Sequence, residues 1–355
     1  MYLRALATAN PTTRLTQPEC WEILRNSQTA RRLRSRSLQI VESVLTGEHG
    51  IDTRHFAIDP IERAFDLNPE ELNREFELSA PRLGEQALSK ALAEADWNPG
   101  ELDALLVCTC TGYLCPGISS FLAESLALRD DVVLQDLVGH GCGAAIPTLR
   151  AASHLLAANP EARVAVVAVE ICSAAFYLDD DPGVLISACL FADGAAATLW
   201  SGEPGDGAWQ ATQFQSLHIP RDREFLRFEN RGGFLRNRLH RSVPERAAAA
   251  VHALYPSQAN PPVDAIVVHP GGRDVLAAIT QRIPQHSLES SATVLRRYGN
   301  MSSPSILFAL QQHLNQTDSP RHLWISSFGA GFTCFGFQLS KTIDLKPSTR
   351  RGAPG

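Results

Sequence analysis

Short aliphatic runs punctuate this chain, each entered from a polar turn. Leu102-Asp103-Ala104-Leu105-Leu106-Val107-Cys108 is one. Val263-Asp264-Ala265-Ile266-Val267-Val268-His269 is its near copy, offset by 161 residues in a chain of 355. Brief runs that are apolar at successive positions predict strands buried on both faces. The elements downstream of the two copies also correspond. After the first come an apolar-periodic helix over 118–128, a strand over 132–138, a helix over 142–157 and a strand over 163–169. After the second come a helix over 273–283, a helix over 300–314 and a strand over 322–326. Strands over 195–200 and 332–339 close the two halves. Strands alternating with helices, used twice, predict an α/β chain of two similar halves, 1–205 and 206–355, with parallel or mixed sheets. Corresponding loops then face each other across a pseudo-twofold axis.

The first 60 residues read as helical and peripheral, after a strand-like opening at Met1-Tyr2-Leu3-Arg4. Thr16-Gln17-Pro18-Glu19 combines a cap, an early proline and a glutamate at the third helical position, which predicts a helix start. Arg31, Arg32, Arg34 and Arg36 form a basic cluster that reads as a solvated helix face, with phosphate binding as the sharper option. Residues 202–207 read as the joint between the halves, and the tail from Lys346, without apolar pattern, as disordered.

Composition narrows the function. Apolar residues make up 44% and charged residues 20%, an ordinary globular balance. Thirty-two basic against 38 acidic residues give a net charge of −6. That argues against a nucleic-acid or anionic-membrane partner. The longest aliphatic run, over 164–169, is far short of a membrane span, and no signal peptide is expected. Eight cysteines in a chain too large to need disulfide staples suggest a cytoplasmic protein. Cys108-x-Cys110-x4-Cys115 resembles a metal spacing, but Cys108 lies in an apolar run, so no metal and no cofactor is expected.

Three positions carry candidate chemistry. In Gly139-His140-Gly141-Cys142-Gly143 a strand enters a glycine-rich turn and a helix begins at the cysteine. Free N–H groups and the helix dipole there favour thiolate, and so a nucleophile, over a merely buried thiol. His269 ends a buried strand before Pro270-Gly271-Gly272, a better place for a site than most lone histidines have. Asn300, in Tyr298-Gly299-Asn300-Met301-Ser302-Ser303, stands at a predicted helix start. It reads as an N-cap or as an amide donor to an oxyanion. Cys, His and Asn at equivalent ends of repeated halves point to thioester chemistry. The cysteine takes an acyl group, while the other two hold a carbonyl or enolate oxygen.

These motifs resemble a known family. Gly141-Cys142-Gly143, Leu190-Phe191-Ala192-Asp193-Gly194-Ala195-Ala196, His269-Pro270-Gly271-Gly272, Gly299-Asn300-Met301-Ser302-Ser303 and Gly329-Ala330-Gly331 are similar, in order and spacing, to the chalcone synthase-like type III polyketide synthases of the thiolase superfamily. The resemblance implies a homodimer with the thiolase-like fold, duplicated αβαβα halves in a layered sandwich. It implies Cys142 as acyl carrier, and His269 with Asn300 as the decarboxylation and oxyanion pair. An acyl-CoA starter is loaded, extended with malonyl-CoA and cyclised to an aromatic or pyrone product. Phe191 matches a gatekeeper phenylalanine. Gly271, Gly272 and Asp274 match the neighbourhood of the CoA arm. Ser302, Gly329 and Gly331 match the pocket wall.

Departures from the family pattern point away from a chalcone synthase. The second gatekeeper aligns with Asn237, a pocket threonine with Cys110, the partner-pocket methionine with Cys115 and a narrowing threonine with Ala175. The loop around Gly329 reads Ser327-Phe328-Gly329-Ala330-Gly331, without the family's first glycine and its proline. Basic residues that meet the CoA phosphates align with Leu45 and Glu48. Arg54 or the arginines at 32, 34 and 36 then take that role, or an acyl carrier protein delivers the starter. Together the changes suggest a fatty acyl or malonyl starter. The alternatives are a ketoacyl-ACP synthase III-like enzyme or related acyltransferase making one condensation, and a catalytically silent relative acting as a scaffold.

Overall fold

The computed structural model describes residues 1–205, 208–316 and 320–342. The first half runs β1 (Tyr2–Ala9), β2 (Thr13–Thr16), α1 (Gln17–Asn26), α2 (Ser35–Thr46), β3 (Thr53–Phe56), α3 (Pro69–Ala95), β4 (Ala104–Cys108), α4 (Ile118–Ser125), β5 (Val133–Leu137), α5 (Ala145–Ala158), β6 (Arg163–Glu170), α6 (Pro182–Leu190) and β7 (Gly194–Ser201). The second runs β8 (Trp209–His218), β9 (Leu226–Arg231), β10 (Phe234–Leu239), α7 (Val243–Leu254), β11 (Ala265–Val268), α8 (Arg273–Arg282), α9 (Glu289–Tyr298), α10 (Ser305–Leu314), β12 (His322–Gly329) and β13 (Thr333–Lys341).

The internal repeat is visible in the ladders. β4 pairs in parallel with β6, Ala104 opposite Val164, and β11 pairs in parallel with β12, Ala265 opposite Leu323. The acidic turn before each strand closes in the same way. Asp103 accepts from the Arg163 amide at 2.8 Å, and Asp264 accepts from the His322 amide at 2.9 Å. In each half an antiparallel strand comes next, β7 on β6 and β13 on β12. Strands β1 and β8 then join the halves through Tyr2 opposite Gln210 and Leu3 opposite Trp209. The result is one nine-stranded mixed sheet, ordered β11-β12-β13-β8-β1-β7-β6-β4-β5.

Helices cover it in layers. The apolar stripe of α3 (Leu72, Phe76, Ala80, Leu83, Ala87, Leu88) packs on β1, β6 and β7, while α7 packs on β8, β12 and β13. Helices α5 and α10 each touch strands of both halves, α5 against β4, β6 and β13, α10 against β1, β7, β11 and β12. These two central helices matter most for the site, because the glycine-rich turn leads into one and the Gly-Asn-Met-Ser-Ser segment into the other.

One expectation fails: the first 60 residues are not peripheral, because β1 lies in the middle of the sheet. Arg4 does not prevent this, since its Nε reaches the Ser201 hydroxyl at 2.7 Å and keeps its charge at the strand's end. The repeat is incomplete. Among the described residues the second half has no counterpart of β5, and α9 occupies that stretch of chain. Thr16 and Glu19 do form the expected capping box on α1. The tail from Lys346, and Asp206 and Gly207 in the joint, lie outside the described residues. Among the described residues no helix is long and apolar enough to cross a membrane.

Candidate active site

Cys142 sits in a single 3-10 turn, Gly141–Gly143, just ahead of α5. The turn is built for close approach. Gly141 has φ +55°, and a Cβ there would press on Ala330. The end of β12 crowds the turn so closely that a Cβ on Gly329 would collide with the His140 carbonyl. Only glycine fits at such contacts.

Asn300 is not a helix cap. Helix α10 starts five residues later, and Asn300 instead lies in a short parallel bridge beside Phe191. Its backbone accepts from Ala192 and donates to Leu190, each at 2.9 Å. The side-chain amide donates to the Gly271 carbonyl at 3.2 Å, and its oxygen accepts from the Ser302 amide at 2.8 Å. Ser302 holds φ +58°, a left-handed conformation that a serine adopts only when its surroundings over-determine it. Its hydroxyl donates to Cys142 Sγ at 3.4 Å and lies 3.2 Å from Cys110 Sγ.

His269 extends the β11 ladder by one hydrogen bond, to the Ser326 carbonyl. The Phe328 ring lies edge-on to its ring at 5.2 Å. The imidazole is fully buried, and neither ring nitrogen has a hydrogen-bond partner. Such an orphan costs about 1–3 kcal/mol, and native folds rarely tolerate one without a use. Cys142, Ser302, Asn300, Gly271 and His269 thus form one continuous run of contacts drawn from both halves.

The electrostatics overturn one expectation. The turn alone favours thiolate, but burial pushes the Cys142 thiol up to about 12, opposed chiefly by the Ser302 hydroxyl. Burial also pushes His269 down to about 3. Desolvation of each group outweighs the partial charge of a single turn. The resting pair is therefore neutral thiol and neutral imidazole.

This gives a stability prediction with a definite sign. The folded imidazole titrates below its ordinary 6.5, so between pH 6.5 and 3 the unfolded chain holds the extra proton. Stability is complete above 6.5 and falls as pH drops towards 3. From pH 7 to 5 the loss from this group is about 2 kcal/mol. Asp193, pushed up to about 6 by burial, acts in the opposite sense, so the comparison is between variants. His269→Gln should lose about that much less than the parent in urea unfolding at the two pH values. Equal losses would mean that the imidazole is not buried neutral.

The remaining residues divide. Phe191, Ala175, Asn237 and Ser302 line a small cavity of about 30 Å³, together with Thr111, Cys172 and Phe228. Cys110 approaches the same region through Ser302. Cys115 does not reach it and is exposed. Gly331 lies in the hairpin turn after β12, with φ +119°. Gly272 precedes α8, and Asp274 is exposed and paired with Arg273 at 3.1 Å. Arg54 is a correction. Its side chain is buried, and it donates to Gln17 and to the carbonyls of Ala188 and Phe191. It braces the segment that ends at Phe191 and has no freedom to meet a CoA phosphate.

Sequence reasoning missed Glu170. This fully buried carboxylate accepts from the hydroxyls of Thr109, Thr111 and Ser303 and from the amides of Cys110 and Thr111. Five donors offset its desolvation and fix the segments that carry Cys110 and Ser302. The available signal was a carboxylate ending a long buried run, the position His269 occupies at the end of β11. Phe228, in a polar hairpin strand, had no such signal.

Comparison with known proteins bears on this arrangement. Residues 12–223 match the family model for FAE1/type III polyketide synthase-like proteins. Residues 253–340 match that for the C terminus of 3-oxoacyl-[acyl-carrier-protein] synthase III. The chain is 30% identical over 311 residues to 1,3,6,8-tetrahydroxynaphthalene synthase of Streptomyces peucetius subsp. caesius, covering 82% of this chain and 80% of that protein. It is 26% identical over 311 residues to the alpha-pyrone synthesis polyketide synthase-like Pks18 of Mycobacterium tuberculosis, covering 81% and 78%. The solved 1,3,6,8-tetrahydroxynaphthalene synthase of Streptomyces coelicolor superposes with a TM-score of 0.85 at 23% identity, over 97% of this chain and all of that one.

Proposed function

The chain belongs to the FAE1/type III polyketide synthase-like family, and on that premise we propose that Cys142, His269 and Asn300 together extend an acyl starter with malonyl-CoA. The enzyme is an acyltransferase that condenses iteratively and cyclises its product to an aromatic or pyrone ring. The observation that carries the residue assignment is the run of contacts from Cys142 to an orphaned, buried His269.

From the neutral pair, the Cys142 proton passes to His269 as Sγ attacks the thioester carbonyl of the starter. The C–S bond to CoA breaks, and His269 returns the proton to the leaving thiolate. Malonyl-CoA then loses CO2. The enolate oxygen is held by N–H donors of His269 and Asn300, and the enolate carbon attacks the Cys142 thioester. The C–S bond breaks, the sulfur leaves as thiolate and takes a proton from water, and the extended chain, now on CoA, reloads onto Cys142 for the next round. Backbone at Gly271 and Gly272, with Asp274 beside them, receives the CoA arm in this reading. Residues 1–205 supply the nucleophile and 206–355 the enolate donors.

Strand β5 closes one edge of the sheet, and Val133, Leu134 and Val138 are exposed there, with Tyr113 nearby in sequence. An unpaired apolar edge is a pairing surface. It supports a homodimer with Cys115 close to the seam, and a monomer in sedimentation equilibrium would contradict this. Eight free thiols, one of them the nucleophile, suit the reducing cytoplasm.

Mass spectrometry of products from malonyl-CoA with acyl-CoA starters of graded length tests the reading. Ala175, Cys110 and Asn237 favour fatty acyl or malonyl starters, and preferred conversion of coumaroyl-CoA to a chalcone would reject that preference. The match of 253–340 to the ketoacyl synthase III model supports a second reading, one condensation with an acyl carrier protein. A single two-carbon extension, dependent on the carrier protein, would establish it instead.

A further inference from the structure

Strands β9 and β10 form a hairpin outside the nine-stranded sheet. It nevertheless supplies two pocket residues, Phe228 and Asn237, which face each other in its register. The next pair in that register is Glu229 opposite Arg236. The Arg236 side chain is only 8% exposed, deep for a guanidinium. It donates to Glu229 at 2.8 Å, Asp179 at 3.0 Å and Asp181 at 3.0 Å.

Glu229 belongs to the hairpin itself, while Asp179 and Asp181 lie on the opposite wall. Asp181 caps α6, its other oxygen accepting from the Gly183 amide at 2.8 Å. Helix α6 supplies Val184, Ser187 and Ala188 to the pocket and ends at Phe191. Asp180, between the two acids, turns away to the Ser37 hydroxyl and the Arg34 amide at the start of α2. One guanidinium therefore ties the hairpin wall to the helix wall. Residues 236 and 237 are neighbours in a strand, so any shift of the Arg236 backbone carries Asn237 with it.

We propose that Arg236 is a positioning residue for product specificity, a latch that fixes the gap between the Asn237–Phe228 wall and α6. This rests on the condensing-enzyme reading for its consequence, not for its geometry. Arginine is needed because three carboxylates around one planar fork match its donors, whereas lysine offers a point charge. With the latch open, the pocket no longer holds the growing chain in one folded conformation, so early release competes with full extension.

The test compares Arg236→Met, Arg236→Lys and, as control, Arg238→Met, an exposed residue on the same strand that meets Glu229 at 3.4 Å but is tied to neither Asp179 nor Asp181. Three readouts are taken: hydrogen exchange over 226–239, loading of Cys142 by hexanoyl-CoA, and the ratio of short to full-length products from hexanoyl-CoA with malonyl-CoA. Arg236→Met should speed hairpin exchange about tenfold and raise the product ratio about fivefold, with loading within about twofold of the parent. Arg236→Lys should fall between, and Arg238→Met should match the parent. Unchanged exchange overturns the latch, and faster exchange with an unchanged product ratio overturns its role in specificity. If Arg236→Met does not fold, Asp179→Asn, which removes one of the three partners, carries the same comparison. A parent enzyme that turns over no malonyl-CoA defeats the condensing reading alone, since the exchange signature is read without substrate.

Discussion

Replacing Cys142 with alanine should leave no acyl-enzyme detectable by intact mass, and should cut condensation by at least about 10³-fold. Release of CO2 from malonyl-CoA should survive in part, because the His269 and Asn300 donors owe nothing to the sulfur. A Cys142→Ala enzyme that still acquires a covalent acyl group would refute the assignment. Alkylation offers a second test, with a complication that the structure exposes. Cys20, Cys108, Cys172, Cys189 and Cys334 are buried, and Cys110 is partly so, but Cys115 is exposed and will react with iodoacetamide. The experiment belongs in a Cys115→Ser background. There, Cys142 should dominate the labelling among the remaining thiols, at a rate that climbs as pH rises, because burial holds its thiol near 12 and no preformed thiolate exists. A rate already at its plateau below neutral pH would mean that a thiolate–imidazolium pair exists before substrate arrives.

The repeat is legible because buried parallel strands are the least ambiguous pattern a sequence offers. Four or five aliphatic residues after an aspartate, twice, predict β4 and β11, and the elements after them largely agree. Strand β1 is harder. Tyr2–Ala9 mixes Arg4 and Thr8 into its apolar positions, and only their partners, Ser201 of β7 and Gln311 of α10, show why both are tolerated. Asn300 illustrates a different limit. A cap is a local motif and a plausible one at that position, but Asn300 bridges to Phe191 and four more residues pass before α10 begins. The Cys142 expectation fails in the same direction. A helix start argues for thiolate, while the burial that outweighs it comes from residues far away in sequence. Arg54 and Arg236 show how little a charge reveals before its partners are known. In sequence each is a cation that could meet an anion or solvent, and each proves to hold one piece of the pocket wall against another.

Asn300→Ala should lower malonyl-CoA decarboxylation by about 10²–10³-fold, the usual cost of one oxyanion donor. The result alone would be ambiguous, because the same side chain braces the loop. Its amide holds the Gly271 carbonyl, and its oxygen holds the Ser302 amide that keeps Ser302 on Cys142. Alanine loses the donor and the brace together. Asn300→Asp separates donation from the hold on Ser302, since the carboxylate keeps the shape and the acceptor for the Ser302 amide and loses the N–H donors, the one on the Gly271 carbonyl included. If donation to the enolate is the role, Asn300→Asp should be as slow as Asn300→Ala, or slower once its negative charge meets the enolate, while loading of Cys142 stays within about twofold of the parent. If holding Ser302 is the role, Asn300→Asp should recover most of the activity, and Asn300→Ala should lose loading and decarboxylation alike. The two readouts respond differently because loading runs through sulfur and Ser302, whereas decarboxylation needs a donor where negative charge appears. His269→Gln, which retains an N–H donor but cannot take a proton from sulfur, should show the complementary pattern: decarboxylation partly kept, loading lost.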